Sequence, residues 1–344
     1  MHTAQAQARG YITNTCDNTV SVIDTTTNSV VASITVGGAP VGVAVTPDGT
    51  RVYVTNLEDG VSVIDTASNT VVATVPVGSF PAGLAITSDG ERVYVVNQGG
   101  TISVIDTASN TVVATIPVGF GPSDIAITPD DTRAYVAHGA TSLLNPTVSV
   151  IDTATNTVIA VIPVGAGPTD IAITPDGTRA YVSLTIISEV AVIDLASNTV
   201  IATIPMDTRP ADLAITPDGT RVYVAHPGGT TVSIIDTTTN TVIGAIPVGT
   251  NFQSLTITPD GTLVYVLSFA ENKIAVIDTT SNTVVDTITS ISCPAEMAIG
   301  PLIPTTKDDC KNGGFSRFGA PAGPFKNQGQ CVSFVERPRR GRPD

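Results

Sequence analysis

The chain has 344 residues and a net charge of −14, with 42% hydrophobic and only 13% charged residues. Residues 1–300 hold 8 basic and 26 acidic residues, whereas residues 301–344 hold 8 basic and 4 acidic ones. The acidic body argues against nucleic acid as a partner. No apolar run approaches the roughly 18–20 residues that span a bilayer, so we expect no transmembrane segment.

The N-terminal segment MHTAQAQARG lacks the apolar core of a signal peptide. It is similar to the small-residue region around a cleavage site, preceded by a methionine supplied for expression. We therefore expect the mature form of a secreted or cell-surface protein, with the signal peptide absent from this sequence.

All seven tyrosines occur in the same local context, at intervals of 41 to 46 residues. They are Tyr11, Tyr53, Tyr94, Tyr135, Tyr181, Tyr223 and Tyr265. The sequence between them is rich in Val, Ile and Thr, which favour strands over helices. A repeat of this length built from short strands is typical of propeller blades rather than helical solenoids.

One repeat, residues 40–78, predicts four strands. The first two, at 41–46 and 51–55, flank the sequence PDG, which is typical of a tight turn. The third and fourth, at 61–65 and 71–77, flank the turn sequence TASN. The first two strands are apolar on both sides, as expected where blades stack face to face.

The order of the strands predicts how the ring closes. Tyr11 belongs to a copy of the second strand, and no copy of the first strand precedes it in the sequence. Met297 belongs to the last copy of the first strand, and no copy of the second strand follows it. Residues 9–37 should therefore supply three strands of one blade and residues 295–300 its innermost strand, which removes the open edges of the array. We predict an all-β, seven-bladed propeller of four-stranded blades at 9–300, followed by a separate tail at 301–344.

Three motifs carry a family resemblance. YVTN (Tyr53–Asn56), VIDT (Val63–Thr66) and TPDGTRVYV (Thr46–Val54) resemble the YVTN-repeat β-propellers of surface-layer and other secreted prokaryotic proteins. The resemblance covers residues 9–300 and implies the fold strongly and the function weakly. Related propellers include lactonase-like enzymes, but no catalytic motif of theirs is matched.

Most carboxylates of the repeat recur from blade to blade, which indicates a structural role. Asp65 of VIDT represents a series of seven, and Asp48 of PDG represents a series of six. An Asp at these positions can accept hydrogen bonds from the backbone N–H groups of its turn.

Positions that differ between repeats are better candidates for a binding site. Before the innermost strand these residues are Gly42, Gly83, Asp124, Asp170, Asp212, Ser254 and Glu296. At the end of the second strand they are Asn14, Asn56, Asn97, His138, Leu184, His226 and Ser268. Both positions should lie on one face, which predicts a ligand site formed by Asp124, His138, Asp170, Asp212, His226 and Glu296.

Two interpretations of this site remain open. Carboxylates and imidazoles could hold a divalent cation, with Asp124, Asp170 and Asp212 as the candidate metal ligands, or could perform acid–base chemistry. Alternatively, the mouth is simply acidic and hydrated, with His in place of Asn as a polar strand end. An insertion at His138–Pro146 lies on the same face, and insertions often mark the binding face.

Four cysteines suggest two local disulfides. Cys16 and Cys293 fall in loops of the closing blade on the same face, and Cys310 and Cys331 bracket part of the tail. Of the three possible pairings, this placement favours Cys16–Cys293 and Cys310–Cys331. An even number of cysteines suits an oxidising, extracellular setting.

The tail is similar to a short Cys-bracketed segment at the C-termini of many secreted bacterial proteins. We interpret it as a disulfide-tied module whose end, ERPRRGRPD, is predicted to be disordered.

Two functions of the whole protein remain open. One is a monomeric binding or interaction module for a protein, a cell surface or a small molecule. The other is a channel-mouth enzyme, such as a lactone hydrolase or lyase, that uses a metal or the His/Asp cluster.

Overall fold

The computed structural model describes residues 8–139 and 146–301, and all 28 elements in those ranges are β-strands. In chain order they are β1 (Arg9–Asn14), β2 (Thr19–Asp24), β3 (Ser29–Thr35), β4 (Pro40–Val45), β5 (Arg51–Asn56), β6 (Gly60–Asp65), β7 (Thr70–Val75), β8 (Pro81–Ile86), β9 (Arg92–Asn97), β10 (Thr101–Asp106), β11 (Thr111–Pro117), β12 (Pro122–Ile127), β13 (Arg133–His138), β14 (Thr147–Asp152), β15 (Thr157–Pro163), β16 (Pro168–Ile173), β17 (Arg179–Leu184), β18 (Glu189–Asp194), β19 (Thr199–Pro205), β20 (Leu213–Ile215), β21 (Arg221–Val224), β22 (Thr231–Asp236), β23 (Thr241–Pro247), β24 (Phe252–Ile257), β25 (Leu263–Ser268), β26 (Lys273–Asp278), β27 (Thr283–Ile288) and β28 (Pro294–Ile299). Within these ranges, no helix is long and apolar enough to cross a membrane.

The strands form seven antiparallel sheets of four, and each sheet is one blade. Blade 1 has the order β28-β1-β2-β3, and blades 2 to 7 each take four consecutive strands, from β4–β7 to β24–β27. Tyr11 pairs with Ala298 and Ile12 with Met297, so the last strand closes the first blade. The predicted seven-bladed propeller and its ring closure are confirmed. The first strands of neighbouring blades contact one another and surround the central channel.

The repeated aspartates hold the turns within each blade. The carboxylate of Asp48 accepts hydrogen bonds from the Thr46 hydroxyl at 2.5 Å and the Thr50 backbone N–H at 3.0 Å. Asp65 accepts a bond from the backbone N–H of Ser68 at 2.8 Å. These bonds give the recurring aspartates the structural role that their repetition indicates.

The repeated tyrosines join neighbouring blades. The hydroxyl of Tyr135 in blade 4 donates to Asn198 Oδ1 in blade 5 at 2.9 Å. The same bond recurs for Tyr53–Asn110, Tyr94–Asn156, Tyr181–Asn240, Tyr223–Asn282 and Tyr265–Asn28. At the seventh interface, Asn69 is the equivalent acceptor for Tyr11, but its buried Oδ1 has no hydrogen-bond partner among the described residues.

The hydrophobic core lies between blades rather than inside any one of them. Between blades 4 and 5, Tyr135 and Val150 pack with Ile171, Val182 and Ile193, and all five are buried. The middle strands of each blade are therefore covered on both faces. No blade could bury its apolar residues alone, which is why the repeat specifies a closed ring.

A disulfide joins the two ends of the ring on one face. Cys16 follows β1 and Cys293 precedes β28, and their sulfurs are bonded with a Cα–Cα distance of 5.6 Å. This is the expected pair, and it reinforces the backbone bond from Thr15 N–H to the Cys293 carbonyl. The predicted Cys310–Cys331 pair and the predicted tail module lie outside the described residues.

Candidate ligand-binding site at the channel mouth

Four carboxyl groups converge near one end of the central channel. Asp124, Asp170 and Glu296 lie near the start of β12, β16 and β28, and Asp212 directly precedes β20. Each is followed by a residue of the core, such as Ile125 after Asp124. All four are half-buried, with part of the side chain open to the channel and protein around the rest. We call this face the mouth face; it carries the loops that join blades and the loops that link the second and third strands.

Each carboxyl group reaches the innermost strand of the next blade. Asp170 Oδ2 accepts from the backbone N–H of Leu213 at 2.7 Å, and Asp212 Oδ2 accepts from that of Leu255 at 2.9 Å. Asp124 makes the equivalent bond to Ile171 at 3.3 Å. Glu296 accepts from the backbone N–H of Val43, which continues the pattern across the ring closure. The acids therefore tie adjacent blades together as well as lining the mouth.

Electrostatics favour a protonated carboxyl group in this cluster. Burial raises the pKa of Asp170 well above its ordinary value, and the Asp212 and Asp124 carboxylates raise it further. Burial raises the pKa of Asp212 to about 6 and also raises the pKa of Asp124. Asp124 and Asp170 are close enough to act on each other: Asp124 raises the pKa of Asp170, and Asp170 lowers the pKa of Asp124. Asp170 therefore favours the protonated form, because it lies between two other carboxylates.

Glu296 belongs to the same electrostatic cluster although it lies on blade 1. Burial raises its pKa well above the ordinary value, and the carboxylates of Asp124 and Asp212 raise it further. The predicted set of four acids is thus brought together around the channel.

Small residues complete the ring where acids are missing. A Cβ on Gly83 would collide with Asp124 Oδ1, so the glycine makes room for that carboxylate. In blade 7 the position is Ser254, whose buried Oγ has no hydrogen bond of normal geometry among the described residues. The Ser254 hydroxyl nevertheless lies close enough to Asp212 to lower the pKa of that carboxyl group.

The structure does not bring the two histidines to these acids. His138 Nε2 lies 2.8 Å from Ser149 Oγ, and His226 Nε2 lies 2.8 Å from Ser233 Oγ, each in its own blade. Asn56 makes the same contact, from Nδ2 to Ser62 Oγ, at 3.0 Å. Burial lowers the pKa of both histidines, so they are neutral at pH 7. At this position His replaces Asn as a structural strand end.

The predicted cation site has no geometric support. In residues 8–139 and 146–301, no three or more acidic, His or Cys side chains are grouped so that they could hold a metal ion. Asp124, Asp170 and Asp212 each use an oxygen to accept a backbone N–H instead.

Four exposed apolar residues on the mouth face were missed by the sequence analysis. They are Phe80 and Phe120, in loops that enter blades 3 and 4, and Ile186 and Ile187, in a loop of blade 5. A signal was available, because these loops depart from the repeat. The sequences GSFP and GFGP place phenylalanine where other repeats have small or polar residues.

Seven four-stranded blades around a channel define a seven-bladed β-propeller, with its candidate binding site at one end of the channel. The sequence model of the family "Lactonase, 7-bladed beta-propeller" matches residues 105–242 and 147–300 of this chain, which together exceed half of its length. The protein therefore belongs to this family.

Solved structures show similar propellers. The chain is 26% identical to a structure of Kuenenia stuttgartiensis hydrazine synthase, with a TM-score of 0.72, over 78% of this chain and 92% of that one. A protein of unknown function from Desulfotomaculum acetoxidans is 21% identical, with a TM-score of 0.75, over 85% and 98%. A candidate 6-phosphogluconolactonase from Bacteroides uniformis is 17% identical, with a TM-score of 0.71, over 86% and 100%. At these identities the last two show the fold alone. No curated protein matches the chain significantly.

Proposed function

We propose that this protein is a secreted or cell-surface binding module that uses the mouth face of its propeller to hold a ligand. The observation that carries the proposal is the asymmetry of that face. Polar residues that recur from blade to blade hold turns or join blades, as Asp48 and Tyr135 do. The acids of blades 1, 4, 5 and 6 and the exposed phenylalanines at the entries to blades 3 and 4 are the features that break the symmetry and could give one ligand one orientation.

Charge argues against an anionic substrate. The described loops of the mouth face expose Asp17, Glu58, Asp59, Asp207 and Glu271 in addition to the channel acids, whereas the cations there are Arg209 and Lys273. Lys273 is already paired with Glu271. A negative mouth repels negative ligands. The phosphorylated lactone in the name of the Bacteroides uniformis protein is therefore a poor fit to this site.

A lactone hydrolase is the second candidate function, and two observations favour it. The chain belongs to a family named for lactonases. The neighbouring carboxyl groups of Asp124 and Asp170 also have raised pKa values, as a general acid would. The two histidines, however, are bonded to serines of their own blades and do not assist this pair.

Hydrolysis of δ-gluconolactone and of 6-phosphogluconolactone, followed at pH 7, tests both candidates. If the protein only binds its ligand, the rate of lactone hydrolysis should equal the uncatalysed background with the native protein and with Asp170→Asn. Acceleration by the native protein that is lost in Asp170→Asn would establish the hydrolase and overturn the binding-module proposal.

Secretion is the remaining part of the proposal and is supported by the Cys16–Cys293 disulfide, since disulfides persist in oxidising compartments. Alkylation of the denatured native protein should label no thiol at Cys16 or Cys293. Labelling of these cysteines in protein isolated from its natural source would contradict extracellular exposure.

A further inference from the structure

The mouth face carries an exposed apolar surface over three consecutive blades. Phe120 is 78% exposed, Phe80 61%, Ile186 50% and Ile187 43%. We call these four residues the apolar crescent. The other described phenylalanines of the propeller are less exposed, and Phe252 is only 1% exposed. Large apolar side chains grouped on one face of a soluble protein mark an interaction site more often than scattered ones do.

Contacts between loops make the crescent continuous from blade 4 to blade 5. The His138 side chain bonds to the backbone of Phe120. Gly139, the next residue, lies against the Pro168 carbonyl group of blade 5. Gly167, which precedes that proline, lies directly against Ile186. The loops that present the crescent thus rest on one another rather than extending separately into solvent.

The turn that holds Phe80 does not require a phenylalanine. Phe80 has a φ of +55°, in the left-handed region. The equivalent residues of other blades also have positive φ, and they are Ala39, Gly121, Gly167, Asn251 and Cys293. The backbone conformation therefore belongs to the repeat, and only its occupant varies. The ring of Phe80 is 61% exposed, so neither the turn nor the core accounts for so large a side chain at this position.

Acidic side chains occupy the rest of the mouth face. The exposed ones lie in loops of blades 1, 2, 6 and 7, and they are Asp17, Glu58, Asp59, Asp207 and Glu271. Asp124, Asp170, Asp212 and Glu296 line the channel. One face therefore offers apolar contact over blades 3 to 5 and negative charge over the channel and the other blades.

We propose that the mouth face is a docking surface for a polypeptide segment that carries both apolar and basic side chains. The inference rests on the proposed binding function and specifies its ligand. Apolar side chains of the segment pack on the crescent, and its Lys or Arg side chains face Glu58, Asp59 and the channel acids. Charge complementarity selects this partner over an anionic membrane surface, because the negative mouth face repels such a surface.

The test uses the full chain and a fluorescent 14-residue peptide of alternating Leu and Lys, titrated by anisotropy at 0.15 M salt. We expect the Phe80→Ser/Phe120→Ser double variant to bind about tenfold or more weakly, because two apolar contacts are lost. Glu58→Gln/Asp59→Asn should weaken binding and reduce its salt dependence. Val72→Ser is the matched control, since Val72 is 53% exposed but lies on the outer strand β7. It should bind like the native protein.

Three outcomes would overturn the inference. The first is equal binding of a control peptide with Ser in place of Leu, which would show attraction by net charge alone. The second is an equal loss of affinity in Val72→Ser. The third is that the native protein sediments with phosphatidylglycerol vesicles or self-associates, and that the Phe80→Ser/Phe120→Ser variant does neither. That result would assign the crescent to a membrane or to a second copy of the chain. If the protein neither binds the peptide nor hydrolyses lactones, the peptide-docking inference is refuted and the proposed binding function is not. If the protein hydrolyses lactones, the proposed binding function itself is refuted.

Discussion

Ser88 of blade 3 donates both its backbone N–H, at 2.7 Å, and its hydroxyl, at 2.6 Å, to the carboxylate of Asp131 in blade 4. In other blades these two positions are Pro and Gly, which touch across the interface, as Pro129 and Gly177 do. A polar pair thus replaces an apolar contact at one interface of the ring.

Replacement of Ser88 and Asp131 by the Pro and Gly of other blades should have non-additive effects on the free energy of unfolding. Ser88→Pro removes both donors and Asp131→Gly removes the acceptor, so each single change should lower the free energy of unfolding by about 1 kcal/mol. The double change restores the Pro–Gly contact, and glycine adopts the positive φ of +59° at residue 131 without the steric cost of a Cβ. We expect the double variant to match or exceed the native stability in urea unfolding, with a coupling of roughly 0.5–3 kcal/mol. Strictly additive losses would contradict this account.

The tyrosine bonds between blades predict an unequal response to removal of a hydroxyl. Tyr135→Phe removes the bond to Asn198 and should lower the free energy of unfolding by about 1 kcal/mol. Tyr11→Phe is the matched control, because Asn69 Oδ1 accepts no hydrogen bond at that interface. Its loss should be smaller in the same urea titration. Equal losses would mean that the hydroxyls act through something other than the asparagines.

The channel acids predict that stability decreases as the pH rises. An unfolded Asp has a pKa near 4, whereas the folded pKa of Asp212 is about 6 and that of Asp170 is also raised. The folded state therefore binds more protons than the unfolded state, so this contribution is fully present below about pH 4 and is lost as the pH rises through 6.

Asp170→Asn should flatten this profile, since an amide at residue 170 can donate to Asp124 without a charge. We expect this variant to be more stable than the native protein at pH 8 and to lose that advantage below about pH 4, where the acids are protonated in both states. Asp176→Asn is the control, because hydrogen bonds from Thr174 and Thr178 lower the pKa of that turn carboxyl group. It should leave the slope between pH 5 and 8 unchanged. An unchanged slope in Asp170→Asn would show that the pKa of Asp170 is not raised.

The disulfide should stabilise the ring without being needed to form it. Cys16 and Cys293 are 277 residues apart in sequence, and closure of so long a loop is worth up to about 5 kcal/mol on the entropic model. Because β1 and β28 still pair, we expect Cys16→Ser/Cys293→Ser to keep the fold and to lose about 2–4 kcal/mol. Calorimetry with and without reductant measures this loss. A reductant should lower the Tm of the native protein much more than that of the double variant; equal shifts would assign the effect to Cys310 and Cys331.

The sequence by itself determined the architecture of this protein. Seven tyrosines at a nearly constant interval, the PDG turns and the placement of Tyr11 and Met297 predicted the blades, their number and the closing strand. They could do so because each blade repeats one local pattern, and because strand order fixes which ends must pair. The same order placed Cys16 and Cys293 in loops of one blade.

Only the tertiary structure decided what the mouth face can do. The sequence located Asp124, Asp170, Asp212 and Glu296 at equivalent positions, but not that each bonds to a backbone N–H of the next blade. It placed His138 and His226 beside these acids, whereas the rings turn to serines of their own blades. Side-chain direction and contacts between blades depend on how the sheets pack, and the repeat pattern does not contain that information. The exposure of Phe80 and Phe120 has the same origin, since a loop residue is left uncovered only once its neighbours are in place.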